Sequence, residues 1–219
     1  MRSAAQPYPT ASDGLEVEDL KDYLRRSIRA SRAARSPRRR EEAGRALAAV
    51  VETVPEIAEA RCVSVYAARS TEPATGPLLE RLAARGVRVL LPVLGAGLQR
   101  DWAEYAGADD LRQRAPGRPP EPSTPALGPE AIAEADVIVA PALAVDTAGT
   151  RLGQGGGWYD RALLHARPGV RVIGLVYPEE VYDAGTRPLP RQRHDRTVDA
   201  VATPEGWQSL RPGDDRLGR

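Results

Sequence analysis

Four glycines within five residues (Gly153, Gly155, Gly156 and Gly157) punctuate the stretch Arg151-Leu-Gly-Gln-Gly-Gly-Gly-Trp-Tyr-Asp-Arg161. An apolar, strand-like run over 136–145 precedes them, and residues 158–165 read as a helix. Glycine at a strand-to-helix turn permits positive φ and lets a ligand approach the backbone closely. Such a turn also presents amide N–H groups at the positive end of a helix dipole, so an anion is expected there, and phosphate is the obvious one. The spacing excludes the commoner phosphate loops. A Walker A loop needs Lys-Ser/Thr after its last glycine, where Trp158-Tyr159 stand. A dinucleotide fingerprint counted from Gly153 and Gly155 would put its third glycine at Trp158. Asp160 falls in the first helical turn, where a carboxylate is favoured and can hold a metal that bridges phosphate oxygens. The alternative is a tight turn followed by an acidic residue, common in α/β proteins. The density of glycines, with arginines at both ends, favours the ligand.

Elsewhere helices and strands alternate. From residue 15 to about 36, Val17, Leu20, Leu24 and Ile28 form one apolar stripe at helical spacing. Lys21 and Arg25, four apart, are neighbours at its edge and are placed to clamp a polyphosphate. Ser36-Pro37 starts a second helix, to about 53, with a capping hydroxyl and proline at the first position. Residues 62–67 and 87–93 read as strands around a helix over 75–84 that Gly86 terminates, and strand–helix–strand with short turns implies a parallel sheet. A short aromatic strand is expected at 102–105, and further strands at 171–177 and 198–203. Six prolines over 113–129 predict an extended loop. A polar loop over 187–195 is placed to close over a site. Residues 1–13 are read as a disordered tail, 14–204 as one domain and 205–219 as a C-terminal tail. In open parallel sheets ligands sit beyond the carboxyl ends of the strands. The glycine loop leaves one such end, Glu72 follows another, and Asp195 precedes a strand, so convergence on one crevice is expected.

Hydrophobic content of 42% and charged content of 28% describe an ordinary soluble protein able to bury a core. A net charge of +1 gives no general attraction to nucleic acid or anionic lipid. Eight arginines between positions 25 and 40 are followed by Glu41 and Glu42 and lack interleaved aromatics, which fits a solvated helix face better than an RNA surface. No apolar run reaches membrane-spanning length and the opening residues lack a signal peptide, so a cytoplasmic protein without a membrane partner is expected. The single cysteine, Cys62, excludes an intrachain disulfide and reads as a core residue. Of 31 basic residues only Lys21 is lysine. It is either a chance survivor or a compact point charge kept for phosphate, where a planar guanidinium is less suited.

Taken together, several pieces in order resemble the 5-formyltetrahydrofolate cyclo-ligase family, also called 5,10-methenyltetrahydrofolate synthetases. They are Lys21-x-x-Leu24-Arg25, Glu72-x-x-Thr75, Leu91-Pro92, Glu121-Pro122, Pro141-x-Leu-Ala-Val-Asp146, the glycine segment through Asp160, and His194-Asp195. The resemblance spans about 19–203. It implies a Rossmann-like α/β/α fold with a mostly parallel sheet, of the type shared with ribose-5-phosphate isomerase. The implied reaction converts 5-formyltetrahydrofolate and MgATP to 5,10-methenyltetrahydrofolate, ADP and phosphate. The formyl oxygen attacks the γ-phosphate, and N10 then closes the ring and expels phosphate. Such chemistry asks for positioning and charge neutralisation rather than a protein nucleophile.

Carried over by position, the resemblance makes Lys21, Arg25 and Arg151 the catalytic cations on the ATP phosphates. Gly153, Gly155, Gly156, Gly157 and Tyr159 complete the ATP site, Asp160 and Asp195 hold Mg²⁺, and Glu72, Gln154 and Trp158 meet the reduced folate. The family has tyrosine where Gln154 and Trp158 stand, so Gln154 alters a folate contact, while Trp158 can still stack on a flat ring. His194 reads as a loop residue. A small-molecule substrate, no nucleic acid and a monomer are the expected associations. A phosphate-sensing domain without turnover and a sugar-phosphate isomerase are the alternatives. An isomerase would need a general base, for which only Glu72 stands out, and the retention of Asp160 and Asp195 speaks against a sensor.

Overall fold

In this computed structural model residues 14–95 and 99–218 are described, so the expected tail 1–13 lies outside the described residues. Helix α1 (Val17–Ala33) is followed by α2 (Pro37–Glu52), capped as expected by Ser36, whose hydroxyl accepts from the Arg39 amide at 3.3 Å. A short α3 (Pro55–Glu59) comes next, because Pro55 takes its first position and starts a helix as well as ending one. Strand β1 (Cys62–Ser64), helix α4 (Gly76–Ala84), strand β2 (Arg88–Leu94) and an aromatic strand β3 (Arg100–Glu104) follow. Beyond the proline-rich loop come β4 (Val137–Pro141), β5 (Ala144–Asp146), β6 (Arg151–Leu152), α5 (Trp158–Ala162), β7 (Arg171–Leu175), β8 (Val181–Tyr182), β9 (Ala200–Thr203), β10 (Gly206–Ser209) and β11 (Leu217–Gly218).

The main sheet runs β11-β10-β9-β7-β4-β1-β2-β3. Its centre, from β9 to β2, is parallel, and β3, β10 and β11 are added antiparallel at the edges. Alternate residues of the central strands point to opposite faces. Val63, Val89, Val137, Val139 and Ile173 join Leu47, Val51 and Leu79 of α2 and α4 on one side. Leu90, Ile138, Ala140 and Val172 join Ile132, Tyr159 and Ala162 on the other. Burial on both faces explains why these strands read as continuous apolar runs. The fold is therefore an α/β fold built on a large, mostly parallel sheet between two packed layers.

Three departures from the sequence reading matter. The run over 136–145 is not one strand. It breaks after Pro141, and β5 enters a second sheet, β6-β5-β8, where it pairs antiparallel with β6 and parallel with β8. The glycine loop therefore leaves the β5–β6 hairpin rather than a strand of the main sheet. Helix α1 packs on this small sheet, with Leu24 and Ile28 against Leu143, Ala144, Leu152, Tyr182 and Leu189. Residues after 205, read as a tail, carry β10 and β11. Trp207 is buried there and donates to the Thr53 hydroxyl at 3.1 Å, and Ser209 accepts from Arg171 at 2.7 Å.

The end of α1 is pinned by a buried ion pair. Arg32 and Glu180 are 1% and 3% exposed, and the guanidinium donates twice, from Nε to Oε1 and from Nη2 to Oε2, each at 2.7 Å. Nη2 also reaches the Ala142 carbonyl at 2.8 Å, and the guanidinium lies 5.6 Å from the Tyr177 ring centroid. Burial opposes the charge on Arg32, but the Glu180 carboxylate outweighs it and holds the pKa above the ordinary arginine value. Removing one member would leave the other charged, buried and unpaired, which costs roughly 3–5 kcal/mol. Arg32→Met is expected to lose that much in urea unfolding, and a loss below about 1 kcal/mol would show that α1 does not depend on this pair.

Candidate active site

A cavity of about 1000 Å³ opens at the carboxyl ends of β1, β2 and β4, where the topology places ligands. It is lined by Tyr66 and Ala67 after β1, Pro92 of β2 and Pro141 of β4. All the residues that the sequence nominated reach it: Lys21, Arg25, Glu72, Arg151, Gly153 through Gly157, Trp158, Tyr159, Asp160 and Asp195.

The cations of the cavity are paired with carboxylates. Lys21, 4% exposed, donates from Nζ to Asp195 Oδ2 at 2.6 Å and to Gln192 Oε1 at 3.2 Å, so the polar loop does close over the site, held by α1. Burial pushes the Asp195 pKa up, but the Gln192 amide and the Lys21 ammonium outweigh it and leave the carboxyl below its ordinary value. Arg151 donates from Nη2 to Asp160 Oδ1 at 2.8 Å, and the Arg196 amide reaches the same oxygen at 3.2 Å. Asp160 is thereby tied to the residue that follows Asp195 in the loop. Arg25 donates from Nε to the Gly153 carbonyl at 3.2 Å and from Nη1 to Glu18 and Asp22, both at 2.6 Å. Burial works against its charge as well, and the two carboxylates overcome it.

Glu72 is buried, its Oε2 accepting from the Arg69 amide and its Oε1 from the Gln154 side-chain amide, each at 2.8 Å. Thr75, its partner in the sequence motif, holds the turn after β1 by donating to the Tyr66 carbonyl at 2.6 Å and accepting from the Ala68 amide at 3.0 Å. Trp158 stands edge-on to Trp102, with ring centroids 5.2 Å apart. Tyr159 is more buried than expected of a residue lining a nucleotide site, and its hydroxyl meets no partner among the described residues. Burial drives its pKa well up, so it stays a neutral phenol.

The glycine loop differs from its first reading in two ways. Helix α5 is five residues long, too short for a substantial dipole, so positive charge at the loop comes from Arg25, Arg151 and Arg161 instead. The four glycines are also not equivalent. Gly155 and Gly157 take φ of 100° and 58°, where a side chain is strained. Gly156 has no such φ, and a Cβ there would meet nothing within 4 Å.

Two site elements escaped the sequence reading. Arg29, one turn beyond Arg25, donates from Nη2 to the Gln154 carbonyl at 2.7 Å and from Nη2 and Nε to Gln154 Oε1 at 3.1 and 3.3 Å. Its i+4 spacing from Arg25 was the available signal. Gln192 was visible only as a loop residue. Asp146, quoted within the motif, is structural. Its carboxylate accepts from the amides of Ala148, Thr150 and Leu189, which tethers the closing loop to the small sheet.

Asp160 and Asp195 supply hard oxygen donors, and each keeps one oxygen outside the hydrogen bonds described above, which suits Mg²⁺ provided phosphate oxygens and water complete the shell. Among the described residues no three His, Cys, Asp or Glu side chains gather to hold a metal by themselves.

A parallel-sheet crevice with paired cations, two carboxylates and a glycine loop defines an α/β enzyme of the phosphoryl-handling kind. The signature of the 5-formyltetrahydrofolate cyclo-ligase family matches residues 17–204, and the chain belongs to that family. It is 40% identical over 156 residues to the 5-formyltetrahydrofolate cyclo-ligase of Mycolicibacterium smegmatis, covering 66% of this chain and 74% of that one. The Escherichia coli K12 cyclo-ligase is 30% identical over 181 residues, covering 81% and 96%. The solved structure of Aquifex aeolicus 5,10-methenyltetrahydrofolate synthetase superposes with a TM-score of 0.73 at 27% identity, over 90% of this chain and 96% of that one.

The openness around Gly156 yields a test. Gly156→Ala should leave stability within about 0.5 kcal/mol of the parent, yet lower turnover at least tenfold, about 1.4 kcal/mol of barrier. Gly157→Ala should cost roughly 1–2 kcal/mol of stability through its left-handed φ. Melting curves beside the assay check both, and full activity in Gly156→Ala would mean that no phosphate lies against that backbone.

Proposed function

We propose that this crevice carries out the ATP-dependent closure of 5-formyltetrahydrofolate to 5,10-methenyltetrahydrofolate, with release of ADP and phosphate. The observation that carries the reading is the convergence of Lys21, Arg25, Arg151 and the glycine loop with Glu72 in one cavity. Family membership separates it from a phosphate-sensing domain or a sugar-phosphate isomerase on the same kind of sheet. A fold kinship with ribose-5-phosphate isomerase is part of the proposal, as are a monomeric state and a cytoplasmic setting. No helix among the described residues is long and apolar enough to cross a membrane.

The residues divide the work. Lys21, Arg25 and Arg151 neutralise the triphosphate and the charge that builds on the transferring phosphoryl group, a task where fixed cations are worth more than in water. Each would exchange a carboxylate partner for phosphate. Glycine-loop amides orient the chain of phosphates. Mg²⁺ held by Asp160 and Asp195 would screen the phosphate oxygens. Glu72 accepts hydrogen bonds from the pterin, and Trp158 offers a flat apolar face. The closed loop excludes water, so the activated formyl group meets N10 before it meets solvent.

Purified protein with 5-formyltetrahydrofolate and MgATP should develop methenyl-folate absorbance, and chelation of Mg²⁺ should abolish it. Lys21→Arg should lose much of the ATP affinity despite its conserved charge, because the wider guanidinium does not fit a place made for an ammonium. Equal affinities by calorimetry would return Lys21 to a structural role. Asp160→Asn and Asp195→Asn should each weaken the Mg²⁺ requirement, the double variant costing little more than the worse single one. Additive losses confined to melting temperature would remove the metal assignment.

A further inference from the structure

Glu72 Oε1 is the carboxylate oxygen turned toward Gln154, its companion Oε2 being tied to the Arg69 amide of its own turn. The group on Oε1 is a primary amide N–H, the same donor type as the amide and amino N–H groups along the edge of a pterin. Gln154 comes from the glycine loop and Glu72 from the segment after β1, so this hydrogen bond links two walls of the cavity. Arg29 fixes the glutamine for that contact, because Gln154 Oε1 and the Gln154 carbonyl both accept from its guanidinium. With its oxygen held by Arg29, the amide turns Nε2 toward Glu72. Beside this bridge the wall is incomplete. The hydroxyls of Tyr66 and Tyr159, both on cavity-lining residues, are buried without a partner among the described residues. Burial holds both phenols neutral, and the Glu72 charge acts in the same direction.

We propose that Gln154 is an internal competitor of the substrate, its side-chain amide occupying the Glu72 oxygen that the pterin must take, with Arg29 as the positioning residue that holds it there. The proposal builds on the reading of Glu72 as the pterin acceptor and turns Gln154 from a contact into a gate. Binding exchanges one N–H···carboxylate bond for another, so recognition at Glu72 yields less net affinity than it would at an unobstructed carboxylate. Selectivity follows from the same exchange. A ligand that brings no N–H to Glu72 cannot displace the glutamine without leaving a buried carboxylate oxygen unpaired, which penalises analogues lacking that donor.

The test is equilibrium binding of 5-formyltetrahydrofolate in the absence of nucleotide, followed by tryptophan fluorescence through Trp158 and checked by calorimetry. Gln154→Ala should tighten binding about three- to tenfold. Arg29→Met should shift it in the same direction by a smaller factor, and Arg29→Lys should restore part of the parent value. Glu72→Gln should weaken binding at least tenfold. Unchanged affinity in Glu72→Gln would remove Glu72 from folate recognition and the reading on which this inference builds. Weakened binding in Glu72→Gln together with unchanged or weaker binding in Gln154→Ala would overturn the gate alone, and the weaker outcome would make Gln154 a substrate contact. Melting temperatures within a degree or so of the parent would exclude a merely structural cause.

Discussion

The active crevice depends on how α1 is docked. Its apolar side rests on the small sheet through Leu24 and Ile28, and its last turn is locked by the buried Arg32–Glu180 pair. From that fixed rod Lys21 and Arg25 reach into the cavity, touching the closing loop and the Gly153 carbonyl, and Arg29, one turn on and exposed, holds Gln154. A rotation of the helix would withdraw all three together. The ion pair is costly to desolvate and adds little stability over an apolar pair, so its value lies in fixing orientation.

The second organising fact is electrostatic. Lys21, Arg25 and Arg151 are buried or nearly so, and isolated charges at such depth would be expensive. Each is matched by a carboxylate: Asp195 for Lys21, Glu18 and Asp22 for Arg25, and Asp160 for Arg151. These pairings let a site built for a polyanion exist within a protein of nearly neutral total charge. They also make ligand binding an exchange of partners, which sharpens selection for ligands carrying enough negative charge.

Much of the fold was legible. Helices α1 and α2, the strand–helix–strand unit and the parallel centre follow from period, caps and glycine terminators, because these are local signals. What was missed depended on contacts distant in sequence. The break after Pro141 was invisible because 136–145 is apolar throughout and nothing in it says that two sheets share the segment. The C-terminal strands were missed because four- and two-residue edge strands carry almost no periodicity; only the lone Trp207 hinted that the segment is buried.

By itself the sequence determined the chemistry available: one lysine beside arginine on a helix, a cluster of glycines followed by Asp160, and a Glu72 after the first strand. Residue type and spacing along a helix or turn decide those matters locally. Tertiary structure decided which groups face one another. Only the folded chain brings Lys21 to Asp195 across 174 positions and Gln154 to Glu72 across 82. Pairings of that range are set by the packing of α1, the hairpin and the main sheet, and no local pattern encodes them. The folded backbone likewise sorted the four glycines, because φ at each one is imposed by the path between β6 and α5.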